Sequence, residues 1–283
     1  AGADIIETNT FGSTPMVLDE YGLGESSEEI SMAGAAIAKK AAVALSTQQK
    51  PRFVAGSMGP TTKAITVTGG VSWQQLVDSY AIQARGLIRG GCDLLLVETS
   101  QDTVNVKAAM TGIAIAQNQL SSTLPVAIQC TIEPMGTMLG GQDIDAFYTS
   151  VEHYDLLWVG MNCATGPEFM RDHVRSLAGL SKFPVAVVPN AGLPDEDGNY
   201  NETPEHLAST LGDYATAGWV NVVGGCCGTV DRHIELLSDI PNLAKPRTVI
   251  DLTTSTVAGL EAFTIDQDSR PVLIGERTNV LGS

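Results

Sequence analysis

The sequence predicts an α/β fold, a (β/α)₈ TIM barrel lacking its first βα unit. Three observations carry this: short apolar runs and amphipathic stretches alternate seven times before residue 240, the runs are rich in Val, Ile and Leu, and glycine marks several joints between them. Apolar runs without strict alternation belong to strands covered on both faces. Strand–helix alternation gives parallel strands with right-handed crossovers, and seven units in succession are one short of a closed barrel.

In chain order, strands are expected at residues 4–9, 53–57, 93–98, 126–130, 157–162, 185–189 and 220–223. Amphipathic helices are expected at 27–45, 74–89, 103–119 and 167–177. The opening Ala1-Gly2-Ala3-Asp4 resembles two internal joints, Gly90-Gly91-Cys92-Asp93 and Ala217-Gly218-Trp219-Val220. Glycine at such a joint caps the C-terminus of a helix, so a strand and a helix are expected ahead of residue 1. After Asp239 the alternation stops. Residues 1–240 therefore read as the barrel domain, and 241–270, mixed in Pro, Thr, Ser and Asp, as an interdomain linker. Residues 271–283 read as a new strand running into a polar loop, the start of a further domain.

Composition narrows the partners. A chain of 283 residues with 43% hydrophobic content can bury one large core. No run approaches the ~18 apolar residues of a membrane span, and no basic region with an apolar core opens the chain, so no secretory leader is expected. A formal net charge of −16 argues against nucleic acid and anionic membranes as partners. An odd number of cysteines without an export signal reads as reduced thiols in a cytoplasmic protein.

Three of those cysteines form a pattern. Cys163 directly follows the expected strand at 157–162, and Cys226 and Cys227 follow the strand at 220–223 within Gly224-Gly225-Cys226-Cys227-Gly228. Barrel enzymes carry their chemistry in loops at the C-terminal ends of strands. One intervening strand separates the two loops by about 10 Å, so the three sulfurs are expected to converge at the barrel mouth, with the flanking glycines easing the turn. Three thiolates suit Zn²⁺ in a tetrahedral set with its fourth position open, the arrangement of a catalytic site. Such sulfur-rich ligation makes the metal a poor Lewis acid toward water. It suits holding a substrate thiol as a nucleophilic thiolate instead. Cys163, Cys226 and Cys227 are thus the candidate metal ligands and catalytic centre of an alkyl transfer to a thiol. Cys92 and Cys130 read as small buried apolar residues, and His153, His173, His206 and His233 as surface or second-layer residues.

Asn162-Cys163 and Gly224-Gly225-Cys226-Cys227-Gly228-Thr229 resemble the signature of the homocysteine S-methyltransferase family, as do Ile6-Glu7-Thr8-Asn9-Thr10-Phe11, Gly59-Pro60 and Pro189-Asn190-Ala191-Gly192-Leu193-Pro194. The resemblance spans residues 1 to about 240 and implies zinc at the three cysteines, homocysteine as substrate and methionine as product. It implies that Glu98 binds the homocysteine ammonium, for which a charge-assisted bond is suited, and that Phe11 lines the pocket. Asn162, beside Cys163, is expected at the same substrate site, bracing it by hydrogen bonds. The tail 274–283 resembles the opening of the methyltetrahydrofolate-binding domain in the cobalamin-dependent methionine synthase branch. That implies methylcobalamin as donor on one absent module and the folate on another.

The chain departs from the family pattern in one respect: the Asp-Gly-rich loop after the family's first strand is absent. An open barrel would leave two unpaired strand edges, and residues 271–276 are one candidate for the vacant slot. Two other readings stand beside the leading one. The chain can be a zinc- and homocysteine-binding module inactive by itself or a methyltransferase using another donor, or it can be a redox-active thiol protein using Cys226 and Cys227.

Overall fold

The structure, a computed structural model, describes residues 1–250 and 254–272. Strands β1 (Ile5–Glu7), β2 (Phe53–Met58), β3 (Leu94–Ser100), β4 (Val126–Cys130), β5 (Val159–Asn162), β6 (Val185–Val188) and β7 (Val222–Val223) form one sheet in chain order. Every neighbouring pair is parallel. The sheet curls as the predicted TIM-like barrel and stays open between β1 and β7, which do not pair with each other among the described residues.

Helices α1 (Pro15–Leu18), α2 (Ser27–Leu45), α3 (Trp73–Arg89), α4 (Thr103–Leu120), α5 (Ile144–Val151), α6 (Pro167–Leu180), α7 (Pro204–Thr216) and α8 (Asp231–Leu237) fill the crossovers. Their starts are written locally. The Ser72 hydroxyl accepts the Gln75 N–H while the Gln75 side chain accepts the Ser72 N–H, a reciprocal cap on α3. Asp102, Asp143 and Thr203 cap α4, α5 and α7 with side-chain oxygens. Proline opens α6 and α7, where its missing N–H costs nothing. The helices expected at 27–45, 74–89, 103–119 and 167–177 are α2, α3, α4 and α6. Helices α1, α5 and α8, of four, eight and seven residues, are too short for a 3.6-residue period to declare itself.

The core has two layers. Leu87, Leu95, Ile113, Ile128, Phe147 and Met161 fill the space between sheet and helices. Ala55, Leu94, Leu96, Ala127, Trp158 and Ala186 fill the barrel interior. Interior packing thins toward the opening, where Ile5, Glu7, Gln129, Trp158 and Val222 border a cavity of about 490 Å³. On the outside, glycines set the helix spacing. A Cβ at Gly86 of α3 would lie 2.4 Å from the Glu28 carbonyl of α2, and one at Gly112 of α4 would lie 2.6 Å from the Val77 carbonyl of α3.

The stretch read as a linker holds ordered structure. The buried Arg247 guanidinium donates to the carbonyls of Ala178, Ser181 and Phe183 at the end of α6. It thereby satisfies carbonyls that a helix end leaves without partners. Strands β8 (Ser255–Ala258) and β9 (Ala262–Ile265) form an antiparallel hairpin beside α5, where the Leu260 carbonyl accepts the Asp143 N–H at 3.1 Å. Of the segment 271–276 expected in the open slot, 273–276 lie outside the described residues. No described helix is long and apolar enough to cross a membrane.

Candidate metal and thiol site

Three loops at the C-terminal ends of β5, β6 and β7 are laced together by backbone. The Cys163 N–H reaches the Val188 carbonyl at 3.1 Å, and the Cys226 N–H reaches the Pro189 carbonyl at 2.8 Å. The Cys227 N–H is held by the Asn190 side-chain oxygen at 3.1 Å. Cys163 and Ala164 both lie in the left-handed region, with φ of 63° and 56°. Two consecutive non-glycine residues there store strain that the surrounding lacing must hold, a mark of functional sites. Gly228, with φ of 78°, has no room for a side chain. A Cβ would sit 2.2 Å from the Tyr200 ring.

The sulfurs of Cys163, Cys226 and Cys227 all lie within 4.8 Å of one another. The Cys163–Cys227 and Cys226–Cys227 separations are 3.8 and 4.0 Å. Tetrahedral zinc, with Zn–S bonds of about 2.3 Å, sets its sulfurs about 3.8 Å apart, so the donor set fits that ion. The electrostatics agree. The Cys226 thiol stabilises a Cys163 thiolate and brings its pKa down to about 6. That negative charge, with burial, pushes Cys226 and Cys227 up. Three thiolates this close need a cation to coexist.

A second group adjoins the first. Glu98 is 5% exposed, near the end of β3, where the register shifts between Val97 and Ser100. Such bulges re-aim side chains, and Thr99 beside it is left-handed at φ 53°. Asn162 spans the gap between carboxylate and sulfurs. Its Oδ1 accepts the Thr99 N–H at 2.8 Å, and its Nδ2 faces Glu98 Oε2 at 3.2 Å and Cys226 Sγ at 3.9 Å. Burial, with repulsion from Glu7, raises the Glu98 carboxyl to about 8, while the Ser57 hydroxyl pulls it down.

A sequence model of the homocysteine S-methyltransferase family matches residues 1–240. The chain belongs to that family. It is 39% identical to methionine synthase of Mycobacterium tuberculosis over 287 aligned positions, covering 100% of this chain but 24% of that protein. The chain thus spans about a quarter of the length of that relative. The metallated form of the Escherichia coli homocysteine methyltransferase MmuM shares the fold, with a TM-score of 0.67 at 22% identity over 84% of this chain and 79% of its own. The apo form of that enzyme superposes with a TM-score of 0.64 at 22% identity, over 84% of this chain and 80% of its own.

Of the candidate residues for a homocysteine S-methyltransferase site, Glu98, Asn162 and the three cysteines come together. Phe11 is 44% exposed, and its ring packs on Gly59 in the loop after β2. Sequence reasoning gave no role to Ser57, Thr99 or Asn190, whose side chains bind Glu98, Asn162 and the Cys227 N–H. Ser57 lies two residues before the Gly59-Pro60 motif and Asn190 within the 189–194 motif. That adjacency was the available signal.

Proposed function

We propose that this chain binds homocysteine and forms the acceptor half of a methyl transfer that yields methionine. The observation that carries this reading is the convergence of three thiols at tetrahedral zinc spacing with a buried carboxylate one side chain away. When bound, zinc supplies an open fourth position at which a thiol loses its proton yet keeps its nucleophilicity. Cys163, Cys226 and Cys227 hold the ion. Glu98 offers its carboxylate to the substrate ammonium in a buried setting that strengthens the pair. Asn162 orients that carboxylate relative to the sulfurs, and Phe11 lines the entrance.

The methyl donor in this reading is methylcobalamin on another module, with methyltetrahydrofolate on a further one. Support comes from the methionine synthase relative, which is about four times as long as this chain. Residues 1–240 then form the zinc and homocysteine barrel, 241–270 the connection, and 271–283 the start of the folate-binding domain. Five free cysteines suit a reducing cytoplasm.

The test is metal content by elemental analysis on protein purified under reducing conditions, beside a C226S/C227S double variant. About one zinc per chain in the parent and almost none in the variant is the expected outcome. Zinc absent from both after reconstitution would remove the reading.

A further inference from the structure

Ser57 is the penultimate residue of β2, 2% exposed, on a strand whose last five residues are all buried. Its hydroxyl donates to Glu98 Oε1 at 2.5 Å. Its backbone is pinned from both sides. The Ser57 N–H goes to Thr8 Oγ1 at 2.9 Å, and its carbonyl accepts Thr10 Oγ1 at 2.7 Å and Gln83 Nε2 at 3.4 Å. Thr8 and Thr10 are themselves joined at 2.6 Å. This buried brace ties the loop after β1, strand β2 and helix α3 to a single serine, and it ends on a carboxylate.

The carboxylate is therefore gripped at both oxygens: Ser57 on Oε1 and Asn162 on Oε2. Asn162 answers to the cysteine loops, but Ser57 has no link to the sulfurs. Donors on both oxygens fix the carboxyl group in rotation, and they offset part of the burial that disfavours its anion. Each oxygen keeps lone-pair capacity for an ammonium. Glu7 of β1 and the Cys163 sulfur are the charged groups that act against it. Hydroxyl donation is the opposing influence on the side of the carboxylate away from Asn162.

We propose that Ser57 is a positioning residue of the amino-acid end of the site: its hydroxyl fixes the Glu98 carboxyl group in the orientation that selects substrates carrying an ammonium beside the thiol. The inference rests on the assignment of Glu98 to the substrate ammonium. The Ser57 hydroxyl bonds to Glu98 and not to the cysteine sulfurs, so its effect separates from thiol binding. Removing a charge-assisted hydrogen bond of this kind costs about tenfold or more in affinity.

The experiment is calorimetric titration of the zinc-loaded chain with homocysteine and with 4-sulfanylbutanoate, the same thiol without the amino group. Parent, S57A, S57T and E98Q proteins are compared, each with its zinc content measured. The parent is expected to prefer homocysteine. S57A should keep its zinc and its affinity for 4-sulfanylbutanoate but lose about tenfold in homocysteine affinity. S57T, which keeps the hydroxyl, should retain the preference. Equal loss toward both ligands in S57A, loss of zinc, or the same defect in S57T would overturn the role of the hydroxyl. E98Q that still prefers homocysteine, or a parent that binds neither ligand, would overturn the Glu98 assignment itself and the proposal with it. E98Q that loses the preference while S57A keeps it would overturn the Ser57 proposal alone.

Discussion

Glu98 illustrates what it costs to bury a single carboxyl group. Its carboxyl is raised from an ordinary 4.5 to about 8 because burial disfavours the anion. A raised folded pKa means stability that is fully present below about 4.5 and lost as pH climbs through about 8. The metal-free E98Q variant should therefore gain on the parent as pH rises. Its Tm is expected to exceed the parent's by several degrees at pH 8.5, with that advantage gone at pH 4.5. Thermal denaturation of both proteins across that range checks this, and a difference independent of pH would mean that Glu98 is not strained by its charge. The left-handed backbone at Thr99, Cys163 and Ala164 belongs to the same account, since all three lie at strand ends around this site.

At the level of elements, the helices around the barrel are spaced by their smallest residues. Gly86 and Gly112 bring α3 within backbone contact of α2 and α4, so a β-branched side chain there forces the helices apart. G86V and G112V are each expected to cost about 1–3 kcal/mol, a fall in Tm of roughly 3–10 °C. Gly212 of α7 is the counterpart, because a Cβ there meets nothing within 4 Å. G212A should instead stabilise by about 0.5–1 kcal/mol through helix propensity. Denaturant titration of the three variants distinguishes close approach from mere helical preference, and equal effects at all three positions would refute the packing account. Arg247 works at this scale too, tying residues beyond α8 to the last turn of α6 through four hydrogen bonds.

For the whole molecule, the candidate metal site and the opening are coupled by where they lie. The three sulfurs join loops that follow β5 and β7 across β6, so an ion held there cross-links the half of the barrel that ends at the open edge. The opposite half has β1 at its edge, and between the edges the buried Gln129 Oε1 and Trp158 Nε1 find no hydrogen-bond partner among the described residues. Zinc binding to the folded state alone raises stability by mass action. Chelation is expected to lower the Tm of the parent by several degrees while leaving C226S/C227S unmoved. Scanning calorimetry with and without chelator tests this, and an unchanged parent Tm would show that the site adds nothing to folding.

Much of this was written locally. Alternation of apolar runs with amphipathic stretches fixed the order and parallel sense of seven strands, because a strand covered on both faces and a helix covered on one leave different periods in sequence. The Gly-flanked cysteine pair and the lone cysteine after another strand end are the residues that the fold gathers into a cluster able to hold a metal ion. Hydrogen bonds between distant residues were not legible. Ser57 and Glu98 are 41 positions apart, Glu98 and Asn162 are 64 apart, and Arg247 meets carbonyls up to 69 positions away. No periodicity encodes such pairings, since each depends on register, bulge and loop path together. The hairpin at 255–265 escaped for a related reason: its short, exposed strands carry little apolar signal and take their place by packing on α5. The sequence by itself determined which residues have the chemistry. Only the folded barrel decided which of them share a carboxylate and a sulfur, because curvature of the sheet, a property of all its strands, sets those distances.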